Sequence, residues 1–418
     1  MRIVIVGAGI GGLATALSVQ AAGLAPASEH KVTVYERSSE IRGLGVGLNL
    51  LPHAMRELTD LGLADSVARL GVAPATLAYY NRFGQPIWAE PRGLAAGYRW
   101  PQQSVHRGRL QLMLRDAVHE RLGDVIRLGH RLVRVEQGEA SDTAVFETAD
   151  GEVRVEADVI VGADGIHSAL RALRYPAEGA PPWSGLTIWR GTAVVPTFLD
   201  GRTMIMAGDG EQKFVAYPLS NPDAAGRQTI NFIAEQRGEG VPDADWNRAV
   251  NPAPIAELFR GWTYDWLDVP ATIAGTGELL EYPMVDRDAV PQWTFGRSTL
   301  LGDAAHAMYP NGSNGGSQAI LDARTLAYHL ATAGSVEAAL RAYEDARRPA
   351  TAKLLEMTRQ TGPERVMLLA RERAPQGFAD VHDVIPQAEL EEIAAAYKRT
   401  AGFDPAVLNE RASLSVAQ

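Results

Sequence analysis

The chain has 418 residues, 46% hydrophobic and 22% charged, too long for one ordinary core and too apolar for disorder; two domains or one elaborated α/β domain are expected. Its 40 Lys and Arg against 50 Asp and Glu leave a net charge of -10, which repels phosphate backbones and argues against nucleic acid as a partner. Without cysteine there is no disulfide, thiolate metal site, catalytic thiol or Cys-x-x-Cys pair, so any redox chemistry has to be borrowed from a bound group.

The opening MRIVIVGAGIGG enters a strand and a glycine turn without the basic, apolar and cleavage-site succession of a signal peptide. No apolar run reaches membrane-spanning length, so a cytoplasmic protein without a membrane span is expected. Ile3 to Val6 are all β-branched, the mark of a parallel strand buried on both faces. Gly7, Gly9 and Gly12 then satisfy G-x-G-x-x-G: a tight turn, room for the backbone to approach a pyrophosphate, and close helix packing, with the helix amino end facing the anion. The following strand, KVTVYER, ends at Glu36, placed to accept hydrogen bonds from adenosine ribose hydroxyls. The polar stretch LAPASEH accounts for a spacing slightly longer than usual. This unit leaves open whether the dinucleotide is NAD, NADP or FAD.

Further along, EIRGLGVGLNLLPHA places Arg42 and a glycine ladder before a helix. APATLAYYNRFGQPIWAE, within residues 73–97, is expected to form a hairpin about NRFGQ. In SVHRGRLQLMLRDAVHERL, Leu110 and Leu114 repeat at helical spacing, leaving Arg107 and Arg109 near the helix entrance, either to clamp a phosphate or ring oxygen or to remain solvated. ADVIVGADGIHSALR is an aliphatic strand ending at Asp164-Gly165, ahead of a helix start that bears Ser168 and Arg171. From about Pro176 to Val290 come short alternating strands, GLTIWRGTAVV, RTMIMAG, KFVAYPL and QTINFIAEQ, which predict a mainly antiparallel sheet. Lys213, Val215 and Tyr217 share one face of it. Tyr217 is either a hydrogen-bonding partner for a hydroxylated ring or a core tyrosine; Trp189, Met204 and Met206 suit a flat apolar ligand or an ordinary core. Arg190 pairs either with a carboxylated substrate or within a structural ion pair. LLGDAAHAMYPNGSNGGSQAILDA is another strand with Gly302-Asp303 at its end, then Pro310 and a helix entered at Gly315 and Gly316. His306 is read as structural. From Ser335 onward the chain is helical, punctuated by Pro349 and Pro363.

Together, G-x-G-x-x-G, Asp164-Gly165 and Gly302-Asp303 in GDAAH resemble the three FAD signatures of single-component (group A) flavoprotein aromatic hydroxylases, over residues 1 to about 370. GLGVGLNLLPHA, YPMVDRD and MYPNGSNGGSQAILDAR are most similar to the phenazine-hydroxylase branch, with salicylate hydroxylases more distant. Ala307 departs from it, standing where phenazine-type relatives usually carry proline.

The resemblance implies an α/β fold: a Rossmann-type FAD-binding domain with a parallel sheet (1–72, 98–175 and 291–350), an inserted mainly antiparallel substrate domain (73–97 and 176–290), and a C-terminal helical segment (351–418). It implies FAD as cofactor, held by Gly7, Gly9, Gly12, Glu36, Arg37, Arg107, Asp164, Gly302, Asp303, Gly315 and Gly316. Glu36 would take ribose, Arg107 the flavin side, Asp164 the neighbourhood of pyrophosphate and nicotinamide, and Asp303 the ribityl chain. Gly315 and Gly316 would turn the positive end of a helix toward the anion on reduced flavin. Pro310 and Tyr217 are the candidate catalytic residues, Pro310 as a rigid cavity wall; Tyr217, Trp189 and Met206 are the candidate substrate contacts. NADH or NADPH would reduce FAD, and a C4a-hydroperoxide would hydroxylate an electron-rich aromatic or N-heteroaromatic small molecule. The alternative is an FAD-dependent oxidase or dehydrogenase of the same fold that does not hydroxylate. No metal is expected; the expected partners are a small aromatic substrate, O2 and NAD(P)H, with no nucleic acid and no membrane span, in a monomer or homodimer.

Overall fold

The computed structural model describes residues 1–24, 31–43, 45–238, 248–360, 362–400 and 404–416. The loop expected at 24–30 lies, apart from Leu24, outside the described residues. Strand Ile3–Val6, buried along its whole length, is central to a six-stranded sheet. Val32–Tyr35 lies parallel on one side of it and Val159–Gly162 on the other, and Ser298–Leu300 runs parallel beyond that. Three strands whose sequences all end in glycine-bearing turns thus stop side by side, at one edge.

Helix Ile10–Ala21 follows the first strand and packs against Gly315–Thr332, the helix reached from the last. The Gly12 contact is tight: a Cβ there would sit 2.0 Å from Gly7 O. The turn below depends on it too, because Gly7 has φ +102 and a Cβ on it would meet Ala163 O at 2.5 Å.

The second layer is an eight-stranded sheet that includes Trp183–Pro196, Thr203–Gly208, Gln212–Pro218, Arg227–Arg237 and Leu279–Val285. The expected hairpin joins it as Thr76–Tyr80 and Pro86–Pro91, its turn organised by Asn81 Oδ1, which accepts from Phe83 N and Gln85 N. Among the described residues, only the pairing of Thr203–Gly208 with Thr76–Tyr80 in this sheet is parallel. One face buries Trp189, Phe214 and Phe232 under helices Pro252–Leu258 and Val269–Ala274. The other carries Met204, Met206, Val215, Tyr217 and Ile233, and is packed in part by Val366, Met367 and Leu390 from the C-terminal helices.

Pro349 does not punctuate. It lies inside one continuous helix, Val336–Arg359, so the boundary expected at 350/351 falls within that helix. Leu340 and Tyr343 before the proline and Leu354 and Leu355 after it are all buried, and this burial outweighs the lost amide hydrogen bond. Pro363 does fall at a break, the 3-10 turn Gly362–Glu364.

Replacing Gly12 by alanine is expected to cost about 1–3 kcal/mol through overpacking, seen as a lower midpoint of thermal unfolding, whereas alanine at Gly9, which has nothing within 4 Å of its Cβ position, leaves that midpoint in place.

Candidate active site

A cavity of ≈ 960 Å³ runs between the two sheets, at the upper end of the roughly 300–1,000 Å³ that ligand sites enclose. It is lined by Gly7, Gly9, Glu36, Arg37, Arg107, Asp164, Gly302, Asp303, Pro310, Gly315 and Gly316, and by Met206 and Tyr217 from the eight-stranded sheet. Gly12 stays behind the turn, where it packs. Trp189 corrects the sequence reading: it is absent from the lining and belongs to the core on the reverse face, with its Nε1 donating to Glu281 at 2.8 Å. Side chains alternate across a strand, so Arg190 faces the cavity and its neighbour Trp189 cannot.

Several features of the cavity fit a bound dinucleotide. Helices Ile10–Ala21 and Gly315–Thr332 both begin without a side-chain cap, leaving open amide groups at their positive ends. Gly9 and Gly165 have nothing within 4 Å of a Cβ position. Asp164 accepts at Oδ2 from Ala169 N at 2.7 Å, but its Oδ1 is buried with no partner among the described residues, and burial pushes its carboxyl up despite Ser168 and the backbone amides. The Asp303 side chain is exposed and lines the cavity. Glu36 accepts from Ala8 N and from Ser38 N, each at 2.9 Å, so it braces the glycine turn while keeping lone pairs for a ligand.

The turn that carries Asp303 is held by a buried ion network. Asp322 accepts from Gly302 N at 3.0 Å, meets His306 Nε2 at 2.6 Å, and accepts from Arg347 Nε at 2.6 Å. Arg171 Nη1 donates to the carbonyls of Ala304 and Ala305. His306 is structural, as expected, but its partner is this carboxylate rather than loop carbonyls. Burial works against ionised Asp322, yet His306 and Arg347 hold it down to about 2.

Two contributions escaped sequence reading. Gln111, one helical turn after Arg107, lines the cavity and donates to Ala8 O at 2.8 Å; its i+4 spacing from Arg107 was the available signal. The glycine ladder supplies the joint between the layers: Gly47 N donates to Asn231 Oδ1 at 2.6 Å, Gly47 O accepts from Arg190 Nη2 at 2.8 Å, and a Cβ on Gly47 would strike Asn231 and Tyr217. Tyr217 is buried, and burial pushes its hydroxyl up to about 12 although Arg190 beside it pulls the other way.

The FAD binding domain family matches residues 1–254 and 271–358. The chain belongs to this family. It is 41% identical over 408 residues to phenazine 1,6-dicarboxylic acid hydroxylase PhzS of Lysobacter antibioticus, covering 95% of this chain and 96% of that one. It is 32% identical to 3-amino-4-hydroxybenzoate 2-monooxygenase of Streptomyces cremeus, over 87% of each chain. Klebsiella pneumoniae HpxO complexed with FAD and uric acid shares the fold, with a TM-score of 0.71 at 24% identity, over 96% of this chain and 93% of that one. The protein is an FAD-dependent flavoprotein monooxygenase of the aromatic hydroxylase group, which settles the choice between dinucleotides that the first glycine turn left open. No helix among the described residues is long and apolar enough to cross a membrane.

Acid should weaken the fold in two steps. His53, fully buried, is lowered to about 3 by burial, with Arg411 and Arg347 adding to it. A depressed folded value means its contribution is present above the unfolded value of about 6.5 and is lost as pH falls toward 3. Asp322, also depressed, loses its contribution from about pH 4 downward. Thermal unfolding followed against pH should show both declines, with His53→Gln removing the upper one.

Proposed function

We propose that this monooxygenase hydroxylates an electron-rich aromatic or N-heteroaromatic small molecule, consuming NADH or NADPH and O2 and releasing water. The balance is a ring C–H, O2, NAD(P)H and a proton in, and a ring C–OH, water and NAD(P)+ out. The observation that carries this reading is a cavity lined both by the glycine turns of the parallel sheet and by the Met206–Tyr217 face of the eight-stranded sheet. When bound, FAD supplies the two-electron chemistry that couples oxidation of NAD(P)H to reduction of O2.

In this reading the Gly7–Gly12 turn and the amino end of Ile10–Ala21 take the pyrophosphate, with Asp164 beside it. Glu36 accepts from the ribose, Arg37 and Arg107 contact the cofactor, and the open carboxylate of Asp303 pairs the ribityl hydroxyls, which would otherwise be buried unpaired. Gly315 and Gly316 present amides and a helix dipole where negative charge collects. Pro310 walls the reaction space and helps exclude water. Tyr217, whose raised value keeps it protonated at neutral pH, donates to a ring substituent, and Met206 lies against the ring. The relatives named phenazine and aminohydroxybenzoate hydroxylases support an aromatic acid. A cytoplasmic location is in keeping with reliance on NAD(P)H.

Asp303→Ala is expected to weaken FAD binding about tenfold or more, the loss of one or two hydrogen bonds at about 1–1.5 kcal/mol each, with an unchanged circular dichroism spectrum; fluorescence titration of apoprotein with FAD measures it. Turnover under 18O2 with aromatic acids, phenols and N-heterocycles should put labelled oxygen into the product. An unlabelled oxidised product accompanied by hydrogen peroxide would instead mark an oxidase.

A further inference from the structure

On the face of the eight-stranded sheet that forms the cavity, Tyr217 stands opposite Asn231, and Val215 opposite Ile233 and Met206. Lys213 stands opposite Glu235. From Tyr217 to Lys213 is four residues, about 13 Å at roughly 3.3 Å per residue. The two polar rows therefore lie at opposite ends of an apolar strip made by Met206, Val215 and Ile233, a length that suits a fused ring system better than a single ring.

The two ends differ in hydrogen-bonding character. Beside Tyr217, two donors, Arg190 Nε and Asn231 Nδ2, are buried without a partner among the described residues. At the other end the available groups are acceptors. Lys213, Glu235 and Glu364 are 6%, 3% and 6% exposed and form one cluster: Lys213 Nζ lies 2.9 Å from Glu235 Oε2 and also pairs with Glu364. One ammonium faces two carboxylates, leaving an excess negative charge. Asn311, 7% exposed, adds Oδ1, which is buried and has no partner there, while its Nδ2 donates to Thr358 O at 3.0 Å. Glu235, Glu364 and Asn311 all line the cavity.

We propose that the cavity selects a fused aromatic acid bound in one direction, with its carboxylate at Arg190, Asn231 and Tyr217 and a neutral hydrogen-bond donor, hydroxyl or amino, at Glu235, Glu364 and Asn311. This rests on the reading of the protein as an aromatic hydroxylase and adds orientation and substituent preference. A second carboxylate at the far end would bring a third anion to a single ammonium, in a site where an unpaired buried charge is costly. Burial pushes the Glu364 carboxyl up against the pull of Lys213, and Glu235 adds to the push, so a further anion beside it is disfavoured. A hydroxyl or amino group brings no charge and satisfies Asn311 Oδ1 or a carboxylate oxygen.

The test uses the FAD-loaded enzyme and four probes, phenazine-1-carboxylic acid bearing hydrogen, hydroxyl, amino or a second carboxylate at ring position 6. Dissociation constants come from the perturbation of bound-flavin absorbance, and stimulated NADH oxidation is followed in parallel. The 6-hydroxy and 6-amino probes are expected to bind at least tenfold tighter than the 6-carboxy probe, and Glu364→Gln to bring that ratio toward one. Equal or tighter binding of the 6-carboxy probe to wild type overturns the proposal, whatever the variant does. So does an unchanged ratio in both Glu364→Gln and Glu235→Gln. Binding and turnover without the preference would overturn the orientation alone; flavin-loaded enzyme that neither binds nor responds to any of the four would overturn the aromatic reading with it.

Discussion

Parallel pairing of three short strands is the constraint on which the rest of the molecule depends. Ile3–Val6, Val159–Gly162 and Ser298–Leu300 are far apart in sequence and adjacent in the sheet. Their register makes Gly7, Asp164 and Asp303 neighbours at one carboxyl edge, the place where ligands of open α/β sheets bind. The edge is packed with little tolerance: Gly7 against Ala163 O, Gly12 against Gly7 O, and Gly302 tied to Asp322. A turn this crowded cannot relax independently, so each strand end holds the other two in place.

Buried charge serves this edge without facing the ligand. Asp322 anchors the Gly302 amide, His306 and Arg347 at once, linking the last strand's turn to helices Gly315–Thr332 and Val336–Arg359. Removing one member of such a network leaves a partner charged and unpaired, which is far costlier than never burying the group. The exposed side chain of Asp303, which lines the cavity, contrasts with this. The same division appears in the second layer, where a strict two-residue period puts Trp189 and Phe214 into one core and Tyr217 and Met206 into the cavity.

Local chemistry made much of this legible beforehand. A β-branched run meeting G-x-G-x-x-G, and two more strands ending in Asp-Gly and Gly-Asp, are near-neighbour patterns whose meaning depends on a few consecutive residues, and so is the hairpin closed by Asn81. Trp189 was misassigned because composition names a flat apolar side chain but not its face, and the start of alternation in a long strand is set by its partners. Pro349 was misread because a local breaker was weighed without the apolar residues that hold the helix together across it. Gln111 and Gly47 were passed over because their partners, Ala8 and Asn231, are distant in sequence.

What the sequence by itself determined, then, is a dinucleotide-binding unit, the class of fold and the turns at the strand ends, because these follow from backbone freedom at glycine and from strand-end carboxylates, while FAD came from the resemblance of the three motifs taken together. What only the tertiary structure decided is which side chains share the cavity. Facing direction, the joint at Gly47 and the acceptor-rich end built from Lys213, Glu235, Glu364 and Asn311 all come from sheet register and helix docking, where the residues that touch are separated by tens to hundreds of positions in the chain.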